Sequence, residues 1–207
     1  MTHPLSFLEE KPCVGDGADG LPAFTMLQVP VSHHERREVE TFVADAFRRQ
    51  YGAELKHFCQ VLVGCKDQHG RWVAALGYSL LDDASAFLEH YLDAPIEREI
   101  ACRTGLPVAR TSVVEVGNLA ATHVGAARTL IACMTRFLHE QGLSWVAFTA
   151  TRSLLNSFNR LGLVPVVLVD ADPVRLPDKG ASWGSYYVTK PQVMFGDIRS
   201  GHDQLVK

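Results

Sequence analysis

The sequence predicts an α/β (α+β) fold, a mixed β-sheet with helices on both faces. Strand-like segments alternate with helical ones in the order β-α-β-β-α-β-α-β-α-β-β. Asp67-Gln-His-Gly70 between two strand-like runs reads as a hairpin turn, so the sheet opens antiparallel. Strand–helix–strand units follow, and their right-handed crossovers make the strands at Thr111 and Trp145 parallel neighbours.

Each element has a local reason. Ala23 to Val29 reads as the first strand. Ser32-His-His-Glu35 reads as a capping box with Ser32 as N-cap. Behind it Val39, Phe42, Val43, Ala46 and Phe47 recur at helical spacing, to about Gln50. Phe58 to Cys65 and Arg71 to Leu80 are strands, with Gly64 and Gly77 as bulge candidates. Asp93 is expected to cap a helix that has Pro95 in its first turn and ends at Gly105. Thr111 to Leu119 is a strand. The helix after Gly125 carries Ala127, Leu130, Ile131, Met134, Phe137 and Leu138 on one face and stops near Gly142. Trp145 to Thr149 is a strand, Ser153 to Leu161 a helix ended by Gly162, and Val164 to Val169 a strand rich in β-branched residues. Trp183 to Val188 is expected as the last strand. Residues 1–22 read as a flexible lead-in, 23–200 as one domain and 201–207 as a C-terminal tail, without internal repeat or linker.

Composition narrows the function classes. Of 207 residues 47% are hydrophobic, enough for a sizeable core. A net charge of −3 supplies no basic field for nucleic acid. No apolar run approaches the roughly 18 residues of a transmembrane segment, and the first residues lack the pattern of a secretory signal. The five cysteines are scattered, so unpaired thiols and a cytoplasmic location are expected. Metal, P-loop and GxSxG motifs are absent. His33 and His34, taken as helical neighbours, would point about 100° apart, and no metal site is expected.

Four constellations could carry chemistry. The turn from Asn118 to Ala127 has small residues where a helix begins, and the unpaired amides of a helix start suit a phosphate; a plain tight turn is the alternative. Glu115 lies among Val113, Val114 and Val116, where a carboxylate has either a raised pKa suited to a general base or an ion pair, with Arg110 or Arg128. The helix after Thr149 would sit at the same sheet edge, with Arg152, Asn156 and Arg160 lining it or facing solvent. Trp183-Gly-Ser-Tyr-Tyr reads as packed aromatics or as the wall of a substrate pocket.

Glu115-Val-Gly-Asn-Leu with the Gly125 helix, and Phe158-Asn-Arg-Leu-Gly-Leu, resemble the acyl-carrier turn and fourth-helix signature of the GNAT acyltransferase superfamily. The Glu115 strand, with the Phe87-Leu-Glu-His-Tyr-Leu segment, also resembles the acyl-homoserine-lactone synthase branch. Glu115-Val-Gly-Asn-Leu-Ala, Trp145-Val-Ala-Phe-Thr-Ala-Thr, Ala171-Asp-Pro and Trp183-Gly-Ser-Tyr-Tyr resemble the thermostable hemolysin family most closely, over nearly the whole chain after Phe24.

The resemblance implies a GNAT-like mixed, mostly antiparallel sheet and transfer of an acyl group from acyl-CoA or acyl carrier protein to a small amine. It implies Glu115 as general base, with Asn118 beside it as the second catalytic residue. Leu119, Ala120, Val124, Gly125, Ala126, Ala127, Thr151 and Phe158 would hold the thioester donor, and Arg152, Trp183 and Tyr186 the substrate. It implies no tightly bound cofactor, and a homodimer is compatible with it. Three positions depart from the relatives: Thr122 replaces the leading Gln or Arg of the phosphate loop, Phe158 the tyrosine acid, and Asn118 the synthase arginine. A membrane-active hemolysin and a non-catalytic relic that binds an acyl carrier or partner are the alternative readings.

Overall fold

The computed structural model describes residues 11–13, 24–82 and 85–207. Most of the expected lead-in lies outside the described residues, but Lys11–Cys13 form β1, which pairs antiparallel with β2 (Phe24–Pro30). Then follow α1 (Arg36–Tyr51), β3 (Val61–Lys66), β4 (Trp72–Leu80), a short 3-10 helix (Phe87–Tyr91) and α2 (Ile96–Thr104). The second half holds β5 (Val113–Ala121), α3 (Val124–Glu140), β6 (Trp145–Ala150), α4 (Arg152–Arg160), β7 (Val166–Asp170), β8 (Gln192–Asp197) and α5 (Ile198–Leu205).

Among the described residues, eight strands join one sheet in the order β1-β2-β3-β4-β5-β6-β8-β7. Among the described strands only β5 and β6 pair parallel, as the crossover through α3 requires; the other pairings are antiparallel.

One face packs α3 through Ala126, Leu130, Met134 and Phe137 onto Val63, Leu76, Tyr78 and Val114. On the same face Leu154, Leu155 and Phe158 of α4 cover Phe148 and Met194. The opposite face packs Val39 and Val43 of α1 onto Val29, Leu62 and Ala75, and Ile96 and Ile100 of α2 onto Val113, Ala147 and Phe195. Side chains that alternate along β4 and β5 feed both cores, which is why these central strands are largely apolar, with Glu115 the charged exception on the α1 and α2 face.

A bulge breaks the middle of the sheet. Ala75 faces Ala120 and Gly77 faces Gly117, so β5 uses one residue more than β4 across this interval. The extra residue falls at Asn118–Leu119, and Asn118 adopts a left-handed φ of 53°. Pairing of β5 with β6 stops at Val116 and Phe148. Beyond that point β5 stays with β4 and β6 with β8, so the two strands part.

Several local expectations are corrected. Ser32 does not cap α1: the helix starts at Arg36, and Glu35 pairs with Lys66 instead. Asp93 does not cap α2. The Glu89 carboxylate accepts the Ile96 N–H at 2.9 Å, and Asp93 binds Arg175. Gly64 is no bulge; it makes room for the Trp72 ring, 2.3 Å from where a Cβ would stand. Trp183 to Val188 is not a strand but two short 3-10 turns, and the last strand is β8. Its alternation, Val193 and Phe195 on one face and Met194 on the other, was the overlooked signal. Residues 201–205 of the expected tail belong to α5, where Gly201 packs near Leu163 and Thr135. Cys59, Cys65 and Cys102 are free thiols, whereas Cys133 is disulfide-bonded, contrary to the expectation of unpaired cysteines.

Candidate functional site

Where β5 and β6 part, a cavity of about 890 Å³ is lined from both faces of the sheet. On the α3 and α4 face its wall includes Leu119, Val124, Ala127, Met134 and Phe158. On the other face it includes Phe47, Tyr51, His57, Phe87, Glu115 and Trp183. The bulge creates this passage, because strands that kept pairing would close it.

Glu115 is buried and points to the α1 and α2 face. It makes no ion pair with Arg110, which binds Glu89 and Glu97 at 2.6 and 2.8 Å. Instead its Oε2 accepts the Phe87 N–H and its Oε1 the Leu88 N–H, each at 2.8 Å. These are unpaired amides of the 3-10 helix start, so one strand carboxylate anchors the Phe87 turn. Burial raises the Glu115 pKa above 4.5, against the downward pull of the two amides.

Asn118 is a clamp. Its Oδ1 accepts the Cys59 N–H at 2.9 Å, and its Nδ2 donates to the His57 carbonyl at 3.2 Å. That holds the approach to β3 against the bulge. Gly77 makes the clamp fit, since a Cβ there would stand 2.6 Å from Cys59 Cβ. The His57 ring stacks on Phe87 at 5.0 Å and 20°, and burial with His90 nearby lowers its pKa. Burial and the Glu115 charge push the Cys59 thiol up to about 12, so it is no nucleophile.

Of the expected donor-binding residues, Leu119, Ala120, Val124, Ala127, Thr151 and Phe158 line the cavity. Gly125 and Ala126 are not among its lining residues, and Ala126 is packed in the core. The helix starts at Val124 because His123 is its N-cap, with Nδ1 accepting the Ala126 N–H at 3.1 Å. Thr151 caps α4 in the same way, accepting the Leu154 N–H at 3.4 Å. Phe158 packs on Phe148 at 5.0 Å and carries no acid.

Trp183 and Tyr186 line the cavity, but Arg152 does not. Arg152 is exposed and borders a separate depression with Gln50, Tyr51 and Lys190. Asn156 and Arg160 are exposed.

His57, Phe47, Tyr51 and Tyr91 are cavity residues that the sequence did not single out. Phe47 stood in the α1 periodicity and Tyr91 in the Phe87 segment, but only tertiary packing brings them to the cavity with His57 and Tyr51. His33 and His34 also differ from expectation, since they precede α1 and stack at 4.4 Å. Ligand atoms of both and of Glu35 lie within 4.8 Å of one another, but the Glu35 carboxylate is bound by Lys66.

The model of the family described as thermostable hemolysin matches residues 29–202. No curated protein matches the chain by sequence. Among solved structures it is similar to FeeM, an N-acyl amino acid synthase from uncultured soil microbes, at 12% identity and a TM-score of 0.55, over 86% of this chain and 95% of that one. It is similar to BjaI, a CoA-dependent acyl-homoserine lactone synthase solved with SAM and isopentyl-CoA, at 16% identity and a TM-score of 0.55, over 88% and 87%. The GNAT domain of S. lividans PAT matches at 11% identity and a TM-score of 0.52, over 95% and 99%. What is shared at such identities is the fold, the expected GNAT-like mixed and mostly antiparallel sheet.

Proposed function

The chain belongs to the thermostable hemolysin family, and from that premise and its cavity we propose that it is an acyltransferase. The donor is an acyl thioester of CoA or acyl carrier protein, and the acceptor a small molecule bearing an amine. The observation that carries this is the passage between β5 and β6, which joins the starts of α3 and α4 on one face to a buried carboxylate on the other. The fold is shared with an N-acyl amino acid synthase and with a synthase bound to isopentyl-CoA, which favours the same reaction class.

In this reading the donor's arm lies along Leu119, Val124, Ala127 and Phe158. Its thioester carbonyl meets backbone N–H groups near Leu119, past the point where β5 stops pairing with β6, and these stabilise the oxyanion. Glu115 takes a proton from the amine. Its oxygens each keep a lone pair beyond the amide bonds, and burial makes it more basic than an ordinary carboxylate. The C–N bond forms, the C–S bond breaks, and the thiolate leaves. Phe158 offers no proton, so the leaving thiolate takes its proton by way of water at the open end.

The test mixes purified protein, a series of acyl-CoA thioesters and a panel of amines, and measures free thiol release. Release that depends on both protein and amine supports the reading. No release, with no CoA thioester or acyl carrier protein binding in calorimetry, overturns it, as does cofactor-free lysis of liposomes.

A further inference from the structure

On the α1 face the cavity is a box of six aromatic side chains: Phe47, Tyr51, Phe87, Tyr91, Trp183 and Tyr186. Ring centroids lie 5.8 Å apart for Phe87 and Trp183, 5.2 Å for Trp183 and Tyr186, and 5.2 Å for Tyr51 and Tyr186. The Trp183–Tyr186 segment is held firmly against the end of α1. The Ser185 N–H donates to the Tyr51 carbonyl at 2.8 Å, and the Glu54 N–H to the Ser182 carbonyl at 2.6 Å. Gly184 makes that approach possible: its φ is 53°, and a Cβ would stand 2.1 Å from the Tyr51 oxygen. The box is thus formed before any ligand arrives.

Its charge is one-sided. Glu115 is the anionic wall of this half. Among the described lining residues the only arginine or lysine is Arg103, whose guanidinium donates to the Val167 and Leu168 carbonyls at 3.2 and 3.0 Å. That places it on β7, away from Glu115. A carboxylate on the acceptor would meet aromatic faces and Glu115, with no cation to pair it. An ammonium group would meet ring faces and a carboxylate, both favourable.

We propose that the acceptor is a primary amine on an apolar or aromatic body with no carboxylate of its own, bound as its ammonium ion in the aromatic box. This rests on the acyl-transfer reading. It sets the chain apart from FeeM, whose N-acyl amino acid product keeps a carboxylate. The ammonium enters beside Glu115, which takes one proton and passes it to solvent. The neutral amine attacks the thioester carbon, the C–N bond forms as the C–S bond breaks, and the second amine proton leaves with the thiol. One ammonium and one thioester give one amide, one thiol and one proton.

Phenethylamine and phenylalanine differ by a single carboxylate and form the matched pair. With the full chain and decanoyl-CoA, thiol release from phenethylamine is expected to exceed that from phenylalanine on the order of a hundredfold in kcat/KM. Equal or faster release from phenylalanine overturns the proposal while leaving acyl transfer standing. Direct binding separates the two failures. If neither amine is acylated, acyl transfer is decided by the wider panel of thioesters and amines, and calorimetry decides the box. Phenethylammonium binding that Trp183→Leu weakens about tenfold supports it; no binding, or binding indifferent to a folded Trp183→Leu variant, overturns it. Thermal melting verifies the fold, and Phe87→Leu replaces Trp183→Leu if the latter unfolds.

Discussion

Glu115 and Leu88 are joined across the cavity wall: the Leu88 N–H donates to Glu115 Oε1 at 2.8 Å, and the adjacent Phe87 N–H occupies the other carboxylate oxygen. The proposed base therefore also anchors a wall of the pocket it serves. Glu115→Gln keeps one acceptor oxygen but turns an NH₂ toward an amide donor. The expected cost is about 1–3 kcal/mol in urea unfolding. Acyl transfer should fall at least about a hundredfold in kcat, with CoA-thioester binding retained. Unchanged turnover would remove Glu115 as base and leave only the anchor.

The same carboxyl predicts a pH dependence. Burial is the largest cause of its raised pKa, and the amides oppose it. A raised folded pKa means the folded chain holds the proton more tightly than the unfolded chain. That stability is complete below the ordinary value of 4.5 and is lost as pH rises through the folded pKa. The stability of the native chain relative to Glu115→Gln should fall over that window, while kcat/KM rises as the base ionises. Parallel stability curves for the two proteins would contradict it.

Arg110 stands behind the Phe87 turn. It donates to both Glu89 oxygens, at 2.6 and 2.9 Å, and Glu89 accepts the Ala86 and Ile96 N–H groups at 2.9 Å each. Burial alone would raise the Glu89 pKa, but Arg110 and the two amides hold it below 4.5. A depressed folded pKa gives stability that is present above the ordinary value and lost as pH falls through the folded one. Arg110→Ala should cost about 2–3 kcal/mol near neutral pH, given the pair's partial exposure, and less in acid. Guanidinium denaturation at neutral and acidic pH measures the difference.

Gly77→Ala should destabilise by about 1–3 kcal/mol, because the added methyl meets Cys59 Cβ at 2.6 Å and Leu62 Cδ2 at 2.9 Å. Neither neighbour can swing away, as both are buried. A melting temperature equal to that of the native chain would show that the backbone relaxes.

Asn118→Gly keeps the left-handed φ of 53° and deletes both clamp bonds. About 1–2 kcal/mol of stability should be lost. The amine KM should rise with kcat nearly unchanged, since His57 is released while Glu115 stays in place. A fall in kcat alone would make Asn118 catalytic after all. Asn118→Ala adds the cost of a Cβ in that conformation, about 1 kcal/mol more.

The strand–helix alternation, the parallel β5–β6 pair and the apolar face of α3 were all legible in the chain, because each rests on local periodicity. The buried glutamate was legible for the same reason: a charge inside an apolar strand is conspicuous. The caps were read less well. Ser32 and Asp93 have the right chemistry at plausible distances, but Glu35 finds Lys66 and Glu89 finds the Ile96 amide, partners set by packing. The aromatic run at Trp183 looked like a strand because alternation cannot tell a sheet face from rings turned inward by short 3-10 turns.

By itself, then, the sequence determined the fold class, the central strand and the residue that carries its charge, since those depend on which side chains must leave water. Tertiary structure alone decided that β8 inserts between β6 and β7, that a bulge at Asn118 parts the sheet, and that rings from α1, the Phe87 turn and the Trp183 segment meet around Glu115. Those outcomes depend on contacts between segments far apart in the chain, which local periodicity does not encode.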